Sequence, residues 1–120
     1  MANEVKILIA DDSSFMRNVI KGILQKAGFV NFVEAADGQE ATQKIAEEQP
    51  GLILLDIIMP LKTGLEVLES VGDKIKVIMI SAVGQEGIIA EAKAKGAKGY
   101  IVKPFDGEQV LKEVRQVLGS

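Results

Sequence analysis

The sequence predicts an α/β protein in which a parallel β-sheet is covered by helices on both faces. Three observations carry that expectation. Short, nearly uninterrupted apolar runs recur along the chain, which is how strands buried on both faces read. Segments with a 3.6-residue apolar period separate them, giving the order βαβαβαβαβα. The length of 120 residues suits one domain with one core.

The first strand is read at residues 5–10, Val-Lys-Ile-Leu-Ile-Ala. Phe15, Val19, Ile23, Leu24 and Ala27 then fall on one face of a helix, with Gly28 as its C-cap. A weaker strand follows at 32–35, and Asp37-Gly38 opens a second helix carrying Ala41, Ile45 and Ala46 until Pro50 closes it. The third strand, 51–55, is expected to stop near Asp56, because Pro60 lacks the N–H that a central strand needs. Leu65, Leu68 and Val71 mark a short third helix before Gly72. The stretch from Leu65 to Lys76 is short for a helix plus its connection, so that helix is expected to be trimmed or distorted. Residues 77–80 form the fourth strand, Ile88, Ile89 and Ala92 a fourth helix before Gly96, and residues 100–102 a weaker fifth strand. Val110, Leu111, Val114, Val117 and Leu118 form the apolar stripe of the last helix.

Composition excludes several classes of function. Hydrophobic residues make up 48% and charged residues 26%, enough to fill a core and keep the surface solvated. The net charge of −3, with Lys and Arg spread along the chain, offers no broad basic patch for nucleic acid. Asp56, Lys76 and glycine-rich connections interrupt every apolar stretch well before the ~18 residues that a membrane span needs. Residues 1–6, Met-Ala-Asn-Glu-Val-Lys, carry no apolar segment of the kind secretion signals have, so a cytoplasmic protein is expected. With no Cys and no His, any site must use carboxylates, hydroxyls, Lys and backbone.

Parallel strands end on the same edge of their sheet, and in open α/β folds that edge is where ligands bind. The residues found there are Asp11 and Asp12 after the first strand, Asp56 after the third, Ser81 after the fourth and Lys103 after the fifth. The second strand contributes nothing comparable. Each has a plainer reading: Asp12 or Ser13 as a helix cap, Asp56 as a turn residue, Ser81 as a cap or a local backbone acceptor, Lys103 as a solvated lysine. Those readings, taken independently, do not explain why all of them meet on one edge.

Carboxylates gathered there repel one another by ~4 kcal/mol per pair at ~4 Å and an effective dielectric near ~20, so they call for a cation. An all-oxygen donor set suits Mg²⁺, with Mn²⁺ able to substitute. Lys103 and Ser81, expected on the far side, would meet a phosphoryl group with an ammonium and a hydroxyl. An Asp carboxylate can accept that group as an acyl phosphate, and Asp56, single and central in the sheet, is the candidate acceptor.

These motifs resemble the receiver domains of two-component response regulators, within them the single-domain CheY type. The resemblance rests on Asp11-Asp12-Ser13, on Asp56-Ile57-Ile58-Met59-Pro60 with Gly64, on Ser81-Ala82 and on Lys103-Pro104-Phe105, and it spans the chain as one receiver domain, residues 1–120. It implies a flavodoxin-like (βα)5 three-layer sandwich, with a five-stranded parallel sheet in the order 2-1-3-4-5. It also implies Asp56 as phosphoacceptor, Asp11, Asp12, Asp56 and the Ile58 carbonyl around Mg²⁺, Ser81 and Lys103 on the phosphoryl group, and a cis Lys103-Pro104 bond. Tyr100 would couple to Ser81 as a two-state switch. A face on the fourth helix, fifth strand and fifth helix, including Ile89, Lys93, Tyr100 and Lys112, would bind targets.

The resemblance implies a histidine kinase as phosphodonor, a chemotaxis or motility protein as target, a phosphatase as a further partner, and a monomer that does not act as an enzyme on other molecules. With no effector domain after Gly119, output through protein binding is expected. A phosphorelay intermediate is the alternative. Two departures bear on the loops: residues 61–64, Leu-Lys-Thr-Gly, lack the acid common before this glycine, and Ile58 and Val83 are apolar where the family varies. A phosphatase of the haloacid dehalogenase type would want an Asp where Ile58 stands. A flavodoxin-like cofactor binder would not place Asp11 and Asp12 against phosphate. A partner-binding-only receiver fits poorly with a full acceptor set.

Overall fold

Strands β1 (Lys6–Ala10), β2 (Asn31–Ala35), β3 (Leu52–Leu55), β4 (Lys76–Ser81) and β5 (Gly99–Val102) alternate with helices α1 (Ser14–Lys26), α2 (Gly38–Glu48), α3 (Gly64–Val71), α4 (Glu86–Ala94) and α5 (Gly107–Leu118). The structure is a computed structural model that describes residues 4–119; residues 1–3, half of the stretch read above for a secretion signal, lie outside it. All neighbouring strands are parallel, in the order β2-β1-β3-β4-β5. This is the flavodoxin-like receiver fold expected from the resemblance.

The apolar strands sort their side chains by strict alternation. Ile7 and Ile9 of β1, Leu52 and Leu54 of β3, and Ile78 and Ile80 of β4 face the core that also holds Ile20 and Leu24 of α1 and Val110 and Val114 of α5. Leu8, Ala10, Ile53, Leu55, Val77 and Met79 point the opposite way, onto Ala41, Val67, Leu68 and Ala92 of the other three helices. One domain therefore has its core divided by the sheet, which is why these strands read as continuous apolar runs. Among the described residues no helix is long and apolar enough to cross a membrane.

Helix ends follow local chemistry. Ala27 is the C-cap of α1 and Gly28 the residue after it, at φ 99°. The Gly28 N–H donates to the Gln25 carbonyl and the Phe29 N–H to the Leu24 carbonyl, the Schellman arrangement that a glycine permits. Asp37 caps α2 through the Glu40 N–H, and α2 ends two residues before Pro50, with Gln49 left-handed between them.

The expected apolar face of α1 needs correction. Phe15 is 74% exposed, while Ile20 and Leu24 are the buried positions. Met16, Ile23 and Ala27 pack beside them, so the stripe is rotated by one residue from the predicted one at its start. Met16, in the same first turn, takes the inward position and leaves Phe15 to solvent. The third helix is short, at eight residues, yet regular: Thr63 and Glu66 exchange hydrogen bonds in a capping box at its start. Thr63 thus fills the place where an acid is common before Gly64.

Candidate functional site

Parallel pairing delivers two of the acids to the same spot. Ala10 lies opposite Leu55 in the β1–β3 register, so the next residues, Asp11 and Asp56, are neighbours at the sheet's C-terminal edge. The Asp56 N–H still donates to the Ala10 carbonyl at 3.0 Å, and the Asp11 N–H to the Ala35 carbonyl at 3.1 Å. Ser81 is the last residue of β4, and the Lys103 N–H donates to its carbonyl at 2.9 Å. Asp11, Asp56 and Ser81 are the buried polar side chains among the described residues, all three on this edge.

Lys103 ties the acids together. Its ammonium lies 2.7 Å from Asp11 Oδ2 and 3.0 Å from Asp56 Oδ2. Burial works against its charge, but the hydrogen bonds it donates to both carboxylates, and their negative charge, outweigh it and raise the Lys103 pKa above the ordinary lysine value. The sequence reading put Lys103 across the pocket from the acids. It rests on them instead, because an ammonium leaving water takes the nearest carboxylates.

Asp11, Asp12 and Asp56 each present a carboxylate oxygen within 4.8 Å of the others. Asp12 is the exposed member, and its carboxylate accepts no hydrogen bond among the described residues. Three oxygen donors, one of them free, with no nitrogen or sulfur ligand, fit a hard divalent cation such as Mg²⁺. The Ile58 N–H donates to Asp56 Oδ1 at 3.3 Å, so the loop after β3 folds back over the acid. Gly64 makes that close approach possible: a Cβ there would stand 2.0 Å from the Asp56 carbonyl oxygen.

The plainer readings hold in part. Ser13 caps α1 through the Met16 N–H, and Asp11 Oδ1 accepts from the Ser13 N–H at 2.9 Å. Ser81 does not cap α4, whose N-cap is Gln85; its hydroxyl accepts from the Val83 N–H at 3.2 Å. The Lys103-Pro104 peptide is cis.

Tyr100 is half-buried, and its hydroxyl donates to the Val83 carbonyl. Burial raises its pKa; the nearby Ser81 hydroxyl opposes that rise and the Asp56 charge adds to it. The phenol is therefore close enough to Ser81 and Asp56 to sense both. Tyr100 shares one shallow cleft with Lys93 and another with Lys112. Ile89 lies half-buried on α4 and lines neither.

Sequence reasoning missed one element. The second strand does contribute: Glu34 accepts from Arg17 Nε at 2.8 Å, and Arg17 Nη1 donates to the Asp11 carbonyl at 2.7 Å. A lone charged residue in the run 32–35, paired in register with Ile9 of the strand that leads to Asp11, was the available signal.

The 2-1-3-4-5 parallel sheet and the acids gathered at its strand ends define a receiver-type α/β module. Comparison with known proteins agrees: residues 7–115 match the model of the response regulator receiver domain, and the chain belongs to that family. It is 44% identical over 115 residues to the chemotaxis protein CheY of Listeria monocytogenes, covering 93% of this chain and 97% of that one. It is 41% identical over 117 residues to protein CcdB of Bacillus subtilis, covering 95% and 98%. Among solved structures, the CheX-CheY-BeF3-Mg²⁺ complex of Borrelia burgdorferi contains a chain that matches at TM-score 0.91 and 39% identity, covering 95% of this chain and 89% of that one.

Proposed function

We propose that the chain is a phosphoacceptor switch that receives a phosphoryl group from a partner histidine kinase on Asp56 and, so modified, binds a target in chemotaxis or motility control. The observation that carries this is the Lys103 ammonium bridging Asp11 and Asp56, with Ser81 buried beside them. Asp11, Asp12, Asp56 and the Ile58 carbonyl would hold a divalent ion, which would supply positive charge to offset the acids and attract phosphoryl oxygens. An Asp56 oxygen forms the new P–O bond as the donor's P–N bond breaks, and the departing imidazole takes up a proton. Lys103 exchanges its contact with Asp56 for one to a phosphoryl oxygen, and the Ser81 hydroxyl turns from accepting to donating. The buried, apolar floor formed by residues 52–55 keeps Asp56 fixed while this happens.

Movement of Ser81 toward the phosphoryl group would free space beside Tyr100, and the Tyr100 bond to Val83 is the contact to be exchanged. The face carrying Ile89, Lys93, Tyr100 and Lys112 then changes its affinity for the target. The similar chain from Borrelia burgdorferi, solved in a complex with CheX, BeF3 and Mg²⁺, supports a divalent cation and a protein partner for this chain.

Incubation with acetyl phosphate and Mg²⁺, followed by intact mass measurement, tests the proposal. Wild type should gain one labile phosphoryl group and Asp56→Asn none. Equal labelling of the two would reject Asp56.

A further inference from the structure

Asp11 has every polar atom engaged. Its N–H donates to Ala35, its carbonyl accepts from Arg17, Oδ1 accepts from the Ser13 N–H and Oδ2 from Lys103. Asp12, joined to it by one peptide, is exposed and has no such ties among the described residues. A trans peptide is planar, so whatever fixes the Asp11 carbonyl also fixes the Asp12 N–H and Cα. The group that fixes that carbonyl is the Arg17 guanidinium, on the first turn of α1.

Arg17 is itself held. Its Nε donates to Glu34 Oε1 at 2.8 Å, while Nη1 reaches the Asp11 carbonyl at 2.7 Å, and its side chain is only 15% exposed. Its planar guanidinium presents Nε and Nη1 as separate donors in a fixed geometry, so both contacts are made at once. Its charge presents a difficulty, since an arginine close to a cation site repels the cation. Glu34 answers this directly, and Lys21, 3.7 Å from the other Glu34 oxygen, completes a small network on the β2 side.

We infer that Arg17 is a positioning residue for divalent-cation binding: it locks the Asp11-Asp12 peptide so that Asp12 meets the other two carboxylates, while Glu34 cancels its charge. This rests on the reading of Asp11, Asp12 and Asp56 as a Mg²⁺ site. Supporting contacts of this kind commonly change metal affinity by ~10-fold or more when removed.

The test is Mg²⁺ titration calorimetry on the full chain, with melting in EDTA to confirm folding. Arg17→Met should weaken Mg²⁺ binding about tenfold. Arg17→Lys should fall between it and wild type. Glu34→Gln, which leaves Arg17 uncompensated, should also weaken binding, and more so at low salt. In an Asp12→Asn background, Arg17→Met should cost less than about twofold, because its effect passes through Asp12. Affinities of Arg17→Met and Glu34→Gln unchanged from wild type would overturn the inference, as would an equal loss with and without Asp12. Failure of wild type to bind Mg²⁺ would instead remove the metal site itself, a result distinct from either.

Discussion

Replacing Lys103 by Met keeps most of the stem and deletes the only cation paired with the Asp11 and Asp56 carboxylates among the described residues. The ammonium is 2.7 and 3.0 Å from carboxylates whose side chains are 3% and 8% exposed. At an effective dielectric near ~20, each contact corresponds to about 6 kcal/mol of gross attraction. Most of that offsets the desolvation of the three groups, and breaking a buried pair typically costs ~3–5 kcal/mol net. Since the Lys103 side chain is still 18% exposed, water relieves part of the loss, and about 2–3 kcal/mol is expected. The assay is urea unfolding near neutral pH in EDTA. Added Mg²⁺ should stabilise Lys103→Met more than wild type, since the two acids no longer have a competing cation. Asp56→Asn in the variant background should recover most of the loss by removing one of the repelling charges. A variant within ~0.5 kcal/mol of wild type in EDTA would refute the reasoning.

Gly64→Ala should cost about 3 kcal/mol, because its Cβ would lie 2.0 Å from the Asp56 carbonyl oxygen and 2.7 Å from the Ile57 Cα, and neither backbone atom can yield cheaply. Gly22→Ala on α1, where a Cβ meets nothing within 4 Å, should instead stabilise by about 0.5–1 kcal/mol; urea unfolding of both variants checks the pair, and equal effects would be inconsistent with the packing described. The Lys103 pKa is raised in the folded state, so its contribution is complete below the unfolded value of ~10.4 and is lost as pH rises through the folded one. The stability difference between wild type and Lys103→Met should therefore be flat from about pH 8 to 9.5 and shrink above ~10.4. A difference that does not change up to about pH 11 would contradict the ion pairs.

Much of the site was legible because parallel strands turn sequence position into spatial position. Once 5–10 and 51–55 are read as strands, Asp11 and Asp56 must reach the same edge, and the register makes them neighbours. Ser81 and Lys103 follow by the same logic, although Ser81 ends β4 where the reading had it just after the strand. The β2-β1-β3-β4-β5 order came with the family resemblance, since apolar periodicity says nothing about which strand lies beside which.

What escaped the reading depended on side chains crossing between elements. Arg17 looks like an ordinary polar residue of α1 until β2 brings Glu34 beneath it. Phe15 satisfies helical spacing and still faces water, because Met16 also fits a helical face with Ile23 and Ala27 and is the residue that meets the core. Whether Lys103 would meet the acids or stand across from them turned on a few ångströms that no spacing encodes.

The central claim is that Asp56, not Asp11 or Asp12, carries the phosphoryl group. Borohydride reduces an acyl phosphate to an alcohol, converting a phosphorylated aspartate into homoserine. Treating the protein with acetyl phosphate and Mg²⁺, trapping with borohydride and mapping peptides by mass should place homoserine at Asp56 alone, and only when Mg²⁺ is present. Homoserine at Asp11 or Asp12, or none anywhere under conditions that phosphorylate a known receiver domain, would contradict the account.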